Sequence, residues 1–228
     1  VIPRSVQKIF HTIQVKSTMN EYKHWSYNVS VTYLEIYNET IRDLLSSNSK
    51  TSDHQKFDIK HENGVAYVPG LTTENVASSD QILHLLKRAT KNRSVASTNV
   101  NERSSRSHSV FTLSIIGTNR ETGQKSHGVL NLIDLAGSER IANSGATGDR
   151  LKETVAINSS LTSLGDVILA LVSKQKHIPY RNSKLTYLLQ PYLDGEGKCL
   201  MFVNIGPEVE CTGETICSLR FASKVNGC

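Results

Sequence analysis

The stretch VLNLIDLAGSER, Val129 to Arg140, decides how the rest of this chain is read. A mostly apolar run, Val129–Ile133, leads straight into Asp134. A small-residue corner, Ala136-Gly137-Ser138, follows, and then the charged pair Glu139 and Arg140. A carboxylate at the carboxyl end of a hydrophobic strand is where Mg2+-nucleotide enzymes place the acid that organises their metal. Gly137, three residues on, has no Cβ to hold its backbone N–H away from a terminal phosphate. Read alone, Asp-x-x-Gly is equally the mark of an ordinary β-turn after a strand, so the nucleotide reading needs support elsewhere.

The support lies upstream in NERSSRSH, Asn101 to His108, which packs an amide, three hydroxyls, two guanidinium groups and an imidazole into eight residues. Hydroxyls suit Mg2+ and an attacking water. Ser105 could ligate the metal, Ser104 could orient the water, and Arg106 could pair with Glu139 to close one loop onto the other. The bland alternative is a polar loop or a phosphorylation site. It weakens because the segment runs directly into a predicted strand, Val110–Ile116, beside the strand that ends at Asp134. A serine-hydrolase reading of Ser107-His108 fails for want of a G-x-S-x-G elbow.

The 228 residues suffice for one sizeable core. With 38% hydrophobic and 21% charged residues the composition is that of an ordinary globular protein, so disorder does not dominate. The longest unbroken apolar run, Val167–Val172, is far too short to cross a bilayer. Four cysteines, Cys199, Cys211, Cys217 and Cys228, fall in the last thirty residues with no C-x-x-C pair, which argues against a zinc site and for reduced thiols. The formal net charge of +5 favours an acidic partner. Between Arg140 and Leu188 seven basic residues stand against three acids, and the plain reading of that excess is a solvated face. A nucleic-acid binder is disfavoured because aromatic residues are not interleaved with the basic ones.

Periodicity predicts a first helix with Ile2, Val6, Ile9, Phe10 and Ile13 on one face and Pro3 in its first turn. YNVSVTYLEIYNE alternates as a strand, ETIRDLL reads as a short helix, and FDIK and VAYV read as strands around a turn at Asn63-Gly64. Ser78 and Gln81 form a capping box ahead of a helix carrying Ile82, Leu85, Leu86 and Ala89. SVFTLSIIGTN and Val129–Ile133 make an antiparallel pair. A longer helix covers about Thr154–Val172, another holds Leu185, Leu188 and Leu189, CLMFVNI reads as a buried strand, and ETICSLRFASKV closes the chain as a helix. Alternating strands and helices predict an α/β fold.

These strings carry a family resemblance. NERSSRSH resembles the switch I motif of kinesins, DLAGSE resembles their switch II, and HIPYRNSKLTYLLQ, from His177, resembles a third kinesin signature on the microtubule-facing side. YLEIYNETIRDLL and SLRFASKV fit as well, and the likeness runs essentially from Val1 to Asn226. GDRLKET, LGDVI and FASKVN resemble the C-terminal-motor (kinesin-14) branch most. The resemblance implies a central mixed β-sheet with helices on both faces, as in kinesin-type P-loop NTPases. It divides the chain into switch I at 101–108, switch II at 134–139 and a microtubule-facing region at about 140–193.

The resemblance also implies roles. Ser105 and Asp134 serve Mg2+, and Asn101 and Ser104 line the ATP site. Gly137 senses the γ-phosphate, and Arg106 bridges Glu139 to order the attacking water. Arg181 and Lys184 become the main microtubule contacts, with Lys152, Lys174 and Lys176 as lesser ones. Two positions depart from the family pattern: kinesins usually carry Lys or Arg where Ser159 stands, and many carry Arg at Tyr187.

One expected element is missing from the sequence. No G-x-x-x-x-G-K-[ST] string occurs, so the amides and lysine that cradle phosphates in a P-loop have no counterpart in these residues. Together with the absent initiator Met, this reads as a partial motor domain without its P-loop and first strands, inactive alone. The expectation is an ATP-dependent microtubule motor of the cytoplasm and microtubule cytoskeleton, including the spindle. It binds neither membrane nor nucleic acid and is joined as a homo- or heterodimer through a stalk outside this chain. The alternative is a motor-like microtubule-binding module without ATPase activity.

Overall fold

The longest strand, β1 (Trp25–Tyr37), organises the fold, and its residue pattern explains why. Val29, Val31 and Tyr33 point to one side of the sheet, while Leu34 and Ile36 join a separate cluster on the other. A strand that is apolar on both faces needs helices on both. The computed structural model describes residues 1–47, 56–95, 103–138, 149–194 and 197–225.

β1 pairs along twelve positions with β6 (His108–Asn119), and β6 pairs along ten with β7 (Lys125–Asp134). On the other side of β1 lie β2 (Thr40–Asp43) and, further along, β5 (Glu74–Val76). Every described pairing in this sheet is antiparallel. A separate hairpin, β3 (Lys60–Glu62) and β4 (Val65–Tyr67), turns at Asn63-Gly64 with φ of +51° and +75°, the mirror-image turn predicted from the dipeptide.

Helices α1 (Ile2–Thr18) and α2 (Ser79–Val95) cover one face of the sheet, packing Val6, Ile82 and Ala89 against Val29, Val31, Phe111 and Leu113. Helices α3 (Asp149–Val172), α4 (Lys184–Leu193) and α5 (Thr212–Val225) cover the other. There Leu164, Ile168, Leu185 and Leu188 meet Leu34, Ile36 and Val110, with Phe221 at the margin. The α/β class and the helices on both faces are as the sequence predicts.

Three predicted elements differ. FDIK is strand only at Lys60, where β3 begins. ETIRDLL is not a helix, since Thr40–Asp43 is strand β2. Asn38 and Glu39 adopt φ of +48° and +54°, which folds the chain straight back so that Thr40 opposes Tyr37 and Ile41 opposes Ile36, both isoleucines being buried. A seven-residue helix is marginal by itself, whereas the hairpin places Ile41 in the core. CLMFVNI is not a strand either. Its residues join no ladder, and Leu200, Phe202 and Ile205 are exposed. A strand exists only when a neighbour offers its backbone, and among the described residues none lies alongside this run.

Side chains fasten the connections. The Asp43 carboxylate accepts from the N–H groups of Leu45 (2.8 Å) and Thr72 (2.7 Å), and the Asn92 amide donates to the carbonyls of Leu44 and Ser46. Gln81 N–H donates to Ser78 Oγ, and Gln81 Oε1 accepts from Ala77 N–H, one residue earlier than the predicted box. Ser183 caps α4 by accepting from Thr186 N–H at 3.1 Å. Ser183→Ala is expected to lower stability by about 1–2 kcal/mol, read as a drop in the urea midpoint at unchanged slope.

Candidate functional site

One end of the sheet gathers the chemistry. The register sets Ser109 opposite Asp134 and His108 opposite Ile36, so the loop entering β6 and the loop leaving β7 sit side by side. The first passes through a short 3-10 turn, Arg103–Arg106. The two loops are joined by one backbone hydrogen bond: Gly137 N–H donates to Ser105 carbonyl at 2.7 Å. Two loops predicted to close on one another thus touch at the residues expected to bind metal and phosphate.

Beneath them lies a charged group that the sequence reading passed over. Glu35 is fully buried in β1. Ser107 Oγ donates to Glu35 Oε1 at 2.7 Å, and Arg93 Nε, from the last turn of α2, donates to the same oxygen at 3.2 Å. Arg93 also donates to Ser107 Oγ (2.9 Å) and to its carbonyl (3.3 Å), and its far nitrogen stands 3.9 Å from Asp134. One guanidinium therefore spans a buried carboxylate, the loop entering β6 and the acid that ends β7. Asp134 itself is 77% exposed, so the last pair adds little to stability, but it keeps a positive charge beside the carboxylate. The overlooked signal was Glu35, an acid on the same face as Val29, Val31 and Tyr33, where a charge is tolerated only with a partner.

His108 forms the second connection. Its Nδ1 accepts from Ala136 N–H at 3.0 Å, and its Nε2 lies 2.7 Å from Ser160 Oγ in α3. Ser160 Oγ in turn donates to Ile157 carbonyl at 2.7 Å. These partners place the imidazole proton on Nε2, donating to Ser160. Burial pushes the His108 pKa down to about 4, so the ring is neutral. Between about pH 6.5 and 4 the unfolded chain protonates this histidine and the folded one does not, so stability falls as pH drops through that window. Lowering the pH from 7 to 5 is expected to remove about 2 kcal/mol by this route. The measurement is urea unfolding at both pH values, and the loss should be smaller in His108→Gln.

Ser105, Arg106, Asp134 and Gly137 therefore share one end of the sheet, whereas Asn101 and Glu139, and with them the Arg106–Glu139 pairing, lie outside the described residues. Ser104 and Lys152 sit on described backbone. Among the described residues there is no cluster of three or more His, Cys, Asp or Glu arranged around a metal.

The basic residues form a different surface. Lys174, with φ of +47°, turns the chain just after α3, and Lys174, Lys176 and Arg181 are exposed. Lys184 is only partly so, because its ammonium lies 3.6 Å from Asp58 and its backbone N–H donates to Glu39 Oε2 at 2.7 Å. Tyr187 stacks on His61 with centroids 4.3 Å apart, and the Arg181 guanidinium stands over the Tyr187 ring at 5.7 Å. The β3–β4 hairpin thus lies beside α4, a neighbour that the sequence reading did not assign to this face.

A family profile described as Kinesin motor domain matches residues 1–228. The chain is 57% identical over 235 residues to Kinesin-like protein KIN-14M of Arabidopsis thaliana, covering all of this chain and 31% of that protein. Among solved structures it resembles the motor domain of the kinesin-like protein Kar3 of Saccharomyces cerevisiae (48% identity, TM-score 0.83, 99% of this chain and 67% of that one). It also resembles a dimer of KIF14 with AMP-PNP in complex with a microtubule (37% identity, TM-score 0.85, 99% and 64%). The chain spans about a third of the length of the curated relatives it matches. With the Ser105 and Gly137 loops at one end of a sheet similar to that of the Kar3 motor and a profile match along its whole length, the chain belongs to the kinesin motor domain family, and kinesin-14 proteins are among its high-identity relatives.

Proposed function

We propose that this chain is the switch-bearing and track-facing part of an ATP-driven microtubule motor. The single observation that carries the reading is the bond from Gly137 N–H to Ser105 carbonyl. It seats the phosphate-sensing corner on the loop that would hold the metal and water. In this reading Ser104 faces the γ-phosphate, the Gly137 N–H would exchange the Ser105 carbonyl for a γ-phosphate oxygen, Asn101 lines the nucleotide, and Arg106 with Glu139 orders the attacking water by position and charge. No Walker string occurs in these 228 residues, and in this reading the phosphate cradle would be supplied from outside them.

The residues fit Mg2+. Mg2+ takes hard oxygen donors, one or two from protein and the rest from water and phosphate. Asp134 offers an exposed carboxylate beside Arg93, and Ser105 a hydroxyl on the adjoining loop. Bound there, the ion would neutralise charge on the terminal phosphates. The track-facing surface would be Arg181 and Lys184 with Lys152, Lys174 and Lys176, meeting the acidic surface of tubulin. Dimerisation through a stalk beyond this chain, and residence on the microtubule cytoskeleton and spindle, belong to the same proposal. No described helix is long and apolar enough to cross a membrane.

The test is ATP turnover by the full-length protein with and without microtubules. Stimulation supports the reading, and binding without turnover favours a motor-like gripping module instead. Arg181→Ala combined with Lys184→Ala is expected to weaken microtubule binding about three- to tenfold at low ionic strength, since each exposed pair is worth under about 1 kcal/mol and is screened by salt. Unchanged cosedimentation would reject this face.

A further inference from the structure

We propose that His108 is a positioning residue that couples the Ala136-Gly137 corner to helix α3, so that movement of the nucleotide-sensing loop is passed to the helix that leads to the basic face. The inference rests on the motor reading above. Its basis is geometric. The imidazole is a rigid plate with one acceptor and one donor at opposite edges, and both are engaged, at 3.0 Å to Ala136 N–H and 2.7 Å to Ser160 Oγ. Each end is itself anchored. Ala136 adjoins Gly137, whose N–H is held by Ser105, and Ser160 is tied to the carbonyl of Ile157 one turn back along α3.

The ring cannot adapt by moving away. His108 is 3% exposed and opens β6, where it is paired with Ile36 of β1. Ser160 is also buried, and Ile157, Leu164 and Ile168 of the same helix lie in the core. A shift of the corner therefore reaches α3 through two short hydrogen bonds and one stiff ring. From Ser160 the helix runs to Val172, and the exposed basic turn begins two residues later at Lys174. Neither bond spends charge, so the connection is indifferent to salt, unlike the surface pairs at the far end of the helix.

A buried histidine that merely satisfies its own polar atoms predicts something different, and two amide substitutions separate the cases. In His108→Asn the carboxamide occupies the Nδ1 position, which keeps the acceptor for Ala136 but does not reach Ser160. In His108→Gln it reaches the Nε2 position and Ser160, and abandons Ala136. Ser160→Ala cuts the same end as Asn with the smallest change of shape. Basal and microtubule-stimulated ATP turnover should be measured in the full-length protein, with thermal melting as a check on folding. Should the histidine variants fail to fold, Ser160→Ala carries the test.

The expected result is that the stimulation ratio falls about five- to tenfold in each variant, the effect of one lost hydrogen bond, while basal turnover falls less. Ser160→Ala should add nothing to His108→Asn, because both cut one link. A stimulation ratio that survives in all three variants, or effects that add fully, overturns the role of His108 and leaves the motor reading standing. A wild-type protein that microtubules fail to stimulate overturns the motor reading, and the coupling role with it.

Discussion

Arg93→Leu is expected to destabilise the protein by about 3–5 kcal/mol, the cost of leaving a buried carboxylate without its cation. For a chain of this size that corresponds to a melting temperature lower by about 10 °C. The reason is the position of Glu35, which has no exposed surface and takes its charge balance from a guanidinium that also holds Ser107. The remedy follows from the same physics. Glu35→Gln in the Arg93→Leu background removes the stranded charge and should recover more than half of the loss, although Glu35→Gln alone, facing an unbalanced Arg93, should itself destabilise. Additive effects of the two substitutions would show that the pair is not coupled. Because Arg93 also reaches Asp134, the double variant should regain stability without regaining full turnover.

Glu139→Ala carries the second large expectation: ATP turnover in the full-length protein down by about a hundredfold or more, with microtubule cosedimentation retained. Charge and position directed at a developing phosphoryl transition state are worth about two to three powers of ten per group removed, whereas in the proposed role this carboxylate would contribute nothing to gripping an acidic track. Arg106→Ala should match it, and the double variant should be no worse than either single one if the two act as one bridge. Turnover within a few-fold of wild type in Glu139→Ala would reject the bridge.

Much of the fold was legible because its signals are local. The helical spacing of Ile157, Leu161, Leu164, Ile168 and Leu171 in α3, the alternation of β1 and the Asn63-Gly64 turn are each set by neighbouring residues, and each appears where expected. The errors came where local and long-range terms disagree. ETIRDLL has helical propensity, yet the Asn38-Glu39 turn gives Ile41 a buried partner across the hairpin, and burial outweighs propensity. CLMFVNI has the composition of a core strand and no ladder to join. At the candidate site, Ser105, Asp134 and Gly137 stand out in the sequence as candidates because phosphate chemistry restricts which residue types would serve, and the structure brings them to one end of the sheet. Arg93 and His108 could not, because their importance lies in what they touch. An arginine at a helix end and a histidine after a serine-rich loop look ordinary until β1, β6 and β7 bring Glu35, Ala136 and Ser160 to them.

The pairing of β1 bears on how the chain is made. Its partner β2 arrives almost at once, but bonds such as those from Ser26 to Thr118 and from Ser107 to Glu35 join residues 92 and 72 positions apart. At a ribosomal pace of about 5–20 residues per second, the strand at the heart of the sheet stands for several seconds with one long border open to passing chains. Nascent copies crowded on one messenger are then most exposed to mispairing in that interval. Holding factors that cover extended apolar segments, or slower initiation, should raise the yield of native protein more than any change to its finished surface.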